Sequence, residues 1–157
     1  MAKILVVDDE DDVRLSLQRR MLREGHSAEI AASQAEAIET IEKAEMPFDV
    51  VLTDMLMESP NSGVEVLKAT LARDVFTEVV ILTAYGNVAN AVECMKMGAF
   101  DYVEKNIPGV DVFELICIKV EQALDRRRSS LSTVRKLEQF ARFQETRSET
   151  RQDESVS

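Results

Sequence analysis

Short apolar runs alternate along the chain with stretches in which apolar residues recur every three or four positions. Ile4-Leu5-Val6-Val7 is a β-branched run that closes on the acidic group Asp8–Asp12. Val13, Leu17, Met21 and Leu22 then follow at helical spacing, and Gly25 is placed to end that helix in the left-handed conformation. Residues 28–32 predict a weak second strand, and Ser33-Gln34-Ala35-Glu36 has the form of a capping box opening a helix with Ala37, Ile38 and Ile41 on one face. Residues 48–53 predict a third strand ending at Asp54. A second capping-box pattern, Ser62-Gly63-Val64-Glu65, opens a helix carrying Val66, Leu67, Thr70 and Leu71. Residues 78–83 form a fourth strand. Asn87 is positioned to cap a helix with Val88, Ala91, Val92 and Met95 inward and Asn90, Cys94 and Met97 outward, closed by Gly98. Residues 100–104 are the fifth strand, and residues 110–124 the fifth helix.

Five strand-then-helix units in about 124 residues imply an α/β domain with a parallel sheet and helices on both faces. The strands are unbroken apolar runs, as a sheet buried on both faces requires. Beyond Leu124 come Asp125-Arg126-Arg127-Arg128 and then Leu131, Val134, Leu137, Phe140 and Phe143 among charges. Spacing by threes alone turns the apolar stripe ~60° per step, so no steady heptad seam forms. The chain therefore divides into a domain over 1–124, a helical extension or linker over 125–145, and a polar tail over 146–157 expected to be disordered. The three arginines read as a helix C-terminal charge cluster rather than a nucleic-acid contact.

Charge and composition narrow the field. Of 157 residues, 45% are hydrophobic and 31% charged, with only 5 Gly and 3 Pro, which removes low-complexity and collagen-like classes. Residues 125–157 hold eight Lys/Arg and six Asp/Glu, so residues 1–124 carry −12 of the overall −10. Such an acidic body repels phosphate backbones, and direct nucleic-acid binding is not expected. No apolar run approaches the ~18–20 residues of a membrane span, and the N-terminus lacks signal-peptide features, so a cytoplasmic location is expected. Cys94 and Cys117 read as reduced, half-buried thiols. The single histidine, His26, follows a helix-ending glycine and reads as a surface residue, neither phosphodonor nor metal ligand.

Parallel sheets of this kind place their sites at the carboxyl ends of the strands. After the first strand come Asp8, Asp9 and Glu10; after the third, Asp54; Thr83 ends the fourth and Lys105 follows the fifth. If the first and third strands are neighbours, carboxylates crowd one pocket and repel unless a cation neutralises them. A hard divalent ion such as Mg²⁺, taking one or two carboxylates together with water and phosphate oxygens, relieves that crowding. A hydroxyl and an ammonium opposite can hold phosphoryl oxygens. Together they suit the transfer of a phosphoryl group to a carboxylate.

Four segments, each at a strand end and in this order, carry a resemblance: Ile4 to Glu10 (ILVVDDE), Val50 to Asp54 (VVLTD), Ile81 to Gly86 (ILTAYG) and Gly98 to Lys105 (GAFDYVEK). Over residues 2–124 the chain resembles the receiver domain of two-component response regulators. The resemblance implies a flavodoxin-like doubly wound sheet of strand order 2-1-3-4-5. It implies a regulator rather than an enzyme, one that promotes its own phosphorylation and dephosphorylation. Asp54 would be the phosphoacceptor, fed by a sensor histidine kinase or phosphotransfer protein. Asp8, Asp9 (directly), Asp54 and the backbone carbonyl of Leu56 would hold Mg²⁺. Thr83 and Lys105 would meet the phosphoryl group, and Tyr102 would be the aromatic that swings inward. The output face would be the fourth helix, fifth strand and fifth helix, open to a partner or a second copy.

Two departures stand out. Receivers usually follow the lysine with proline, whereas this chain has Lys105-Asn106-Ile107-Pro108. A cis bond before Asn costs ~2.5–4 kcal/mol, so a trans peptide and a rearranged loop are expected, leaving the placement of Lys105 open. The segment Met55–Ser62 also looks about one residue longer than usual, with Ser59-Pro60-Asn61-Ser62 as an exposed turn.

Other classes fit less well. A haloacid-dehalogenase-type phosphatase would use Asp9-Glu10-Asp11 but leave Asp54 without a role. A flavodoxin-like electron carrier needs a hydroxyl- and Gly-rich loop where five acids stand. A receiver-shaped binding module that works without phosphate remains the alternative.

Overall fold

The computed structural model describes residues 1–84 and 87–156, with side chains through residue 150. Tyr85 and Gly86, at the end of the ILTAYG segment, lie outside the described residues. Five strands, β1 (Lys3–Val7), β2 (Ser27–Ala31), β3 (Val50–Asp54), β4 (Glu78–Ala84) and β5 (Asp101–Lys105), form one sheet in the order β2-β1-β3-β4-β5. Every pairing is parallel. Each strand is followed by a helix: α1 (Asp11–Arg23), α2 (Gln34–Lys43), α3 (Ser62–Arg73), α4 (Val88–Lys96) and α5 (Val112–Val156). This is the doubly wound, flavodoxin-like arrangement that the strand-helix alternation and the resemblance imply.

The strand sequences explain the two layers. Successive side chains of a strand point to opposite faces. Ile4, Val6, Val50, Leu52, Val80 and Leu82 therefore pack on one side with Leu17 and Met21 of α1 and Ile116 and Val120 of α5. Leu5, Val7, Val51, Val79 and Ile81 pack on the other with Ala37 and Ile41 of α2, Val66 and Leu67 of α3, and Cys94 of α4. Both faces of β1, β3 and β4 are sealed, which fixes the register and leaves only the loops at the strand ends free to carry polar chemistry.

Helix ends follow the sequence in part. Ser33 caps α2, its Oγ accepting the Glu36 amide at 3.1 Å, while the Glu36 carboxylate accepts the amide of Ala32. Gly25 (φ 91°) and Gly98 (φ 108°) take the left-handed conformation that ends α1 and α4. The second capping box does not form. Asn61 occupies the cap of α3 without a side-chain bond, and Ser62 turns inward, its Oγ accepting the amide of Ser59. Asn87 likewise makes no side-chain cap on α4.

Three expectations of facing are corrected. On α4, Cys94 is buried against Met55, Sγ to Sδ 3.7 Å, whereas Val92 is 41% exposed. Ala91 is buried and Met95 packs against the core as the pattern predicts, but Cys94 takes the inward place expected of Val92, because Cys packs as a small hydrophobe. Leu22 lies outside the α1 stripe and is exposed. Both thiols are free and buried rather than half-buried. His26 is also tied down: Nδ1 accepts the amide of Ala2 at 3.3 Å and Nε2 lies 3.2 Å from Glu121 of α5.

The first compact unit ends at Arg127, three residues beyond the expected boundary. The physical reason is a set of ion pairs. Arg127 binds Asp49 at 2.8 Å and Asp74 at 3.2 Å, and Arg126 reaches Glu78 at 3.3 Å and lies over the Phe100 ring. The arginines are thus structural contacts at the amino ends of β3 and β4. Residues from Arg128 onward form the second unit, helical through Val156, with Leu137, Phe140 and Phe143 exposed. The helix continues through residues 146–156, where a disordered tail was expected, since elongating an existing helix adds one hydrogen bond per residue without a new nucleus. No described helix is long and apolar enough to cross a membrane.

Gly63 lies against the backbone that follows β3. A Cβ there would lie 2.9 Å from the Met55 Cα and 3.1 Å from the Asp54 carbonyl oxygen. Gly63→Ala is therefore expected to destabilise the fold by roughly 1–3 kcal/mol, read from urea denaturation, because backbone atoms cannot yield as a side chain would.

Candidate functional site

The four strand ends β1, β3, β4 and β5 lie side by side, and the polar residues that follow them converge. Asp8 is fully buried and Asp54 nearly so, in contrast to Asp9 and Glu10, which are exposed. One carboxylate oxygen from each of the four lies within 4.8 Å of the others. Oxygen donors this close, two of them dry, suit a hard divalent cation such as Mg²⁺. The resemblance implied Asp8, Asp9 and Asp54 as the carboxylate ligands; the structure brings an oxygen of Glu10 into the same cluster.

Lys105 enters the same pocket. Its Nζ donates to Asp8 Oδ2 at 3.0 Å and lies 3.3 Å from Asp54 Oδ2 and 3.7 Å from Glu10 Oε1. The missing proline has not displaced it. Among the described residues no peptide bond is cis, and Asn106 takes φ 60°, a left-handed conformation that Asn tolerates better than most residues. One residue with positive φ, in an all-trans turn, thus leaves the preceding lysine pointing over the site.

Asp8 is held from several sides. Its Oδ1 accepts the Glu10 amide at 2.9 Å, its own amide donates to the carbonyl of Ala31, and its carbonyl accepts Arg14 at 2.9 Å. Arg14 also pairs with Asp11 at 2.6 Å. Sequence reasoning missed Arg14; its i,i+3 spacing from Asp11 signals the ion pair but not the bond to Asp8.

The electrostatics follow from burial. Desolvation, joined by Asp8 and Asp9, pushes the Asp54 carboxyl up to about 6 even though Lys105 opposes the shift. Burial works against the charge on Lys105, but Asp54, Asp8 and Glu10 outweigh it and raise its pKa. The ammonium is the firmly charged member, and Asp54 carries the cost of the crowding.

The remaining predicted residues sit nearby without joining the cluster. Thr83 is buried, and its hydroxyl donates to the backbone carbonyl of Asn87 at 2.9 Å, ahead of α4. Tyr102 is half-buried against the α2–α3–α4 side of the core. Leu56, two residues past Asp54, is 38% exposed on the β3–α3 loop. That loop is pinned by the Met55 amide on the Leu82 carbonyl and by the Gly63 amide on the Met55 carbonyl.

Comparison with known proteins agrees with this geometry. The family model for the response regulator receiver domain matches residues 4–117. The regulatory protein AtoC of Escherichia coli (strain K12) is 38% identical over 103 residues, 66% of this chain and 22% of AtoC. The acid tolerance regulatory protein ActR of Rhizobium meliloti (strain 1021) is 38% identical over 109 residues, 69% of this chain and 55% of ActR. The chain thus spans between about a fifth and about half the length of these curated relatives. A crystal structure of a response regulator receiver domain protein from Clostridium thermocellum superposes with a TM-score of 0.72 at 30% identity, over 82% of this chain and 98% of that one.

Two outcomes are expected from the site. A carboxyl whose native pKa lies above its unfolded value stabilises the native state only while protonated. That contribution is complete below about 4 and is lost as pH rises through about 6. Without metal, Asp54→Asn should therefore be more stable than the wild type at pH 8, by on the order of 2 kcal/mol, with the gap closing by pH 4; denaturant melts at the two pH values measure it. At the lysine turn, Asn106→Gly should be nearly neutral. Asn106→Pro, whose ring fixes φ near −65°, should cost about 2 kcal/mol or more in the same assay and loosen Lys105.

Proposed function

The chain belongs to the response regulator receiver domain family, and on that premise we propose that it accepts a phosphoryl group on Asp54 in two-component signalling. The observation that carries this reading is the Lys105 ammonium between the buried Asp8 and Asp54 carboxylates, at 3.0 and 3.3 Å, in a pocket with four carboxylates.

An Asp54 oxygen attacks the phosphorus of a phosphohistidine on a histidine kinase or phosphotransfer protein, or of a small donor such as acetyl phosphate. A new O–P bond forms, the donor's N–P or O–P bond breaks, and its electron pair leaves with the imidazole or acetate. Asp8, Asp9, Asp54 and the Leu56 carbonyl would hold Mg²⁺, which when bound neutralises the clustered carboxylates and the incoming phosphoryl oxygens. Lys105, already within ion-pair distance of Asp54, supplies a further positive charge for the phosphoryl oxygens.

The switch proceeds from Thr83. Its hydroxyl exchanges the Asn87 carbonyl for a phosphoryl oxygen, which frees the chain ahead of α4. Tyr102 turns into the space Thr83 leaves. The face of α4, β5 and α5 then changes, and a partner or a second copy reads it. Asn90, Val92 and Met97 supply the exposed α4 side of that face, because Cys94 is buried. Such a switch gains only the differential affinity of phosphate for the two states, typically ~1–3 kcal/mol.

Intact mass after incubation with acetyl phosphate tests the proposal. One added phosphoryl group is expected with Mg²⁺, none with EDTA, and none in Asp54→Asn. An unchanged mass, or the same gain in Asp54→Asn, overturns the assignment.

A further inference from the structure

The β3–α3 loop leaves β3 at Asp54 and is anchored at both ends. At its start the Met55 amide donates to the Leu82 carbonyl, and at its end the Gly63 amide donates back to the Met55 carbonyl at 3.0 Å. Ser59 and Ser62 close a turn between them: the Ser59 amide donates to Ser62 Oγ and the Asn61 amide to Ser59 Oγ. Leu56, Met57 and Glu58 span the gap. Met57 packs against the core. Glu58 reaches sideways, and both its carboxylate oxygens lie against the backbone amide of Gln34, at 3.2 and 3.0 Å.

Gln34 is the first residue of α2, and Ser33 already caps the Glu36 amide. Glu58 supplies a second acceptor from another part of the chain. A carboxylate at the positive end of a ten-residue helix is favourable both as a charge-assisted hydrogen bond and through the helix dipole. The contact ties the loop to the segment between β2 and α2, and the last residue of β2, Ala31, accepts the amide of Asp8 through its carbonyl. It also engages the carboxylate of Glu58 outside the four-carboxylate cluster.

We propose that Glu58 is a positioning residue for the metal site: through the Gln34 amide it fixes the loop that presents the Leu56 carbonyl. The inference rests on the reading of Leu56 as a ligand given above. Mg²⁺ demands near-octahedral geometry at short distances, so a carbonyl on an untethered loop binds it less well. Groups that orient metal ligands typically matter 10–100-fold; for one exposed bond, roughly 3–10-fold is expected.

The contact can be removed from either side. Glu58→Ala deletes the acceptor. Gln34→Pro deletes the donor alone, because proline is favoured at the first helical position and Ser33 has the extended backbone (φ −152°, ψ 164°) that precedes proline readily. The experiment is calorimetric titration of the unphosphorylated full chain with Mg²⁺, together with amide exchange at Gln34 in EDTA. Glu58→Ala and Gln34→Pro should each weaken binding roughly 3–10-fold. The double substitution should be no weaker than either one, since both break the same bond. Glu58→Gln, which keeps an acceptor, should restore most of the affinity, and exchange at Gln34 should quicken in Glu58→Ala. Unchanged Mg²⁺ affinity in either single substitution, or effects that multiply in the double, overturns the role of Glu58. A wild type that binds no Mg²⁺ overturns the metal site itself and this inference with it.

Discussion

Crowded negative charge is the constraint around which the functional end of this molecule is organised. Four carboxylates with oxygens inside 4.8 Å cannot all be ionised cheaply, and two of them are largely withdrawn from water. Lys105 is the protein's own answer. It comes from the edge strand β5, and its flexible four-carbon arm carries the ammonium past the ends of β4 and β3 to Asp8. That single charge does not neutralise the site. Asp54, pushed up to about 6, carries the desolvation and the repulsion from Asp8 and Asp9 that remain.

Three residues outside the cluster shape the segments around it. Asn106 adopts a left-handed conformation so that the lysine before it points inward. Gly63, where a Cβ would meet the Met55 Cα at 2.9 Å, lets the first turn of α3 donate its amide to the Met55 carbonyl, which holds the segment after Asp54 close to its strand. Glu58 reaches from the same loop to the start of α2. None of these residues touches the cluster, and each acts by fixing a neighbour that does or is proposed to.

The opposite end of the sheet is built from the same interaction with the opposite purpose. Arg127 sits between Asp49 and Asp74, and each of those carboxylates also accepts a backbone amide, from Lys3 and Phe76. Charge is satisfied there. The paired pole ties α5 to the amino ends of β1, β3 and β4, while at the other pole four carboxylates share the single ammonium of Lys105. Between them run the buried strands β1, β3 and β4, and Thr83 at the end of β4 donates to the carbonyl of Asn87 ahead of α4.

The architecture was legible in the sequence because it depends on period. Unbroken apolar runs of strand length such as Ile4–Val7 and Val79–Leu82 fit strands buried on both faces, and each is followed by a helical stripe. Asp8, Asp9, Asp54 and Lys105 were legible for a related reason: parallel strands place their following residues at one edge, so position after a strand already implies proximity. What depends on three dimensions was not legible. Whether Ser62 caps a helix or turns inward depends on the approach of Ser59, and whether Cys94 or Val92 faces the core depends on the fit of α4 against Met55 in the same layer. The arginines at 126 and 127 reveal their partners only when Glu78, Asp49 and Asp74 are brought to them from 48 to 78 residues away. Local pattern determines which element forms; pairing between distant charges and the fit of side chains across a core exist only once the elements have packed.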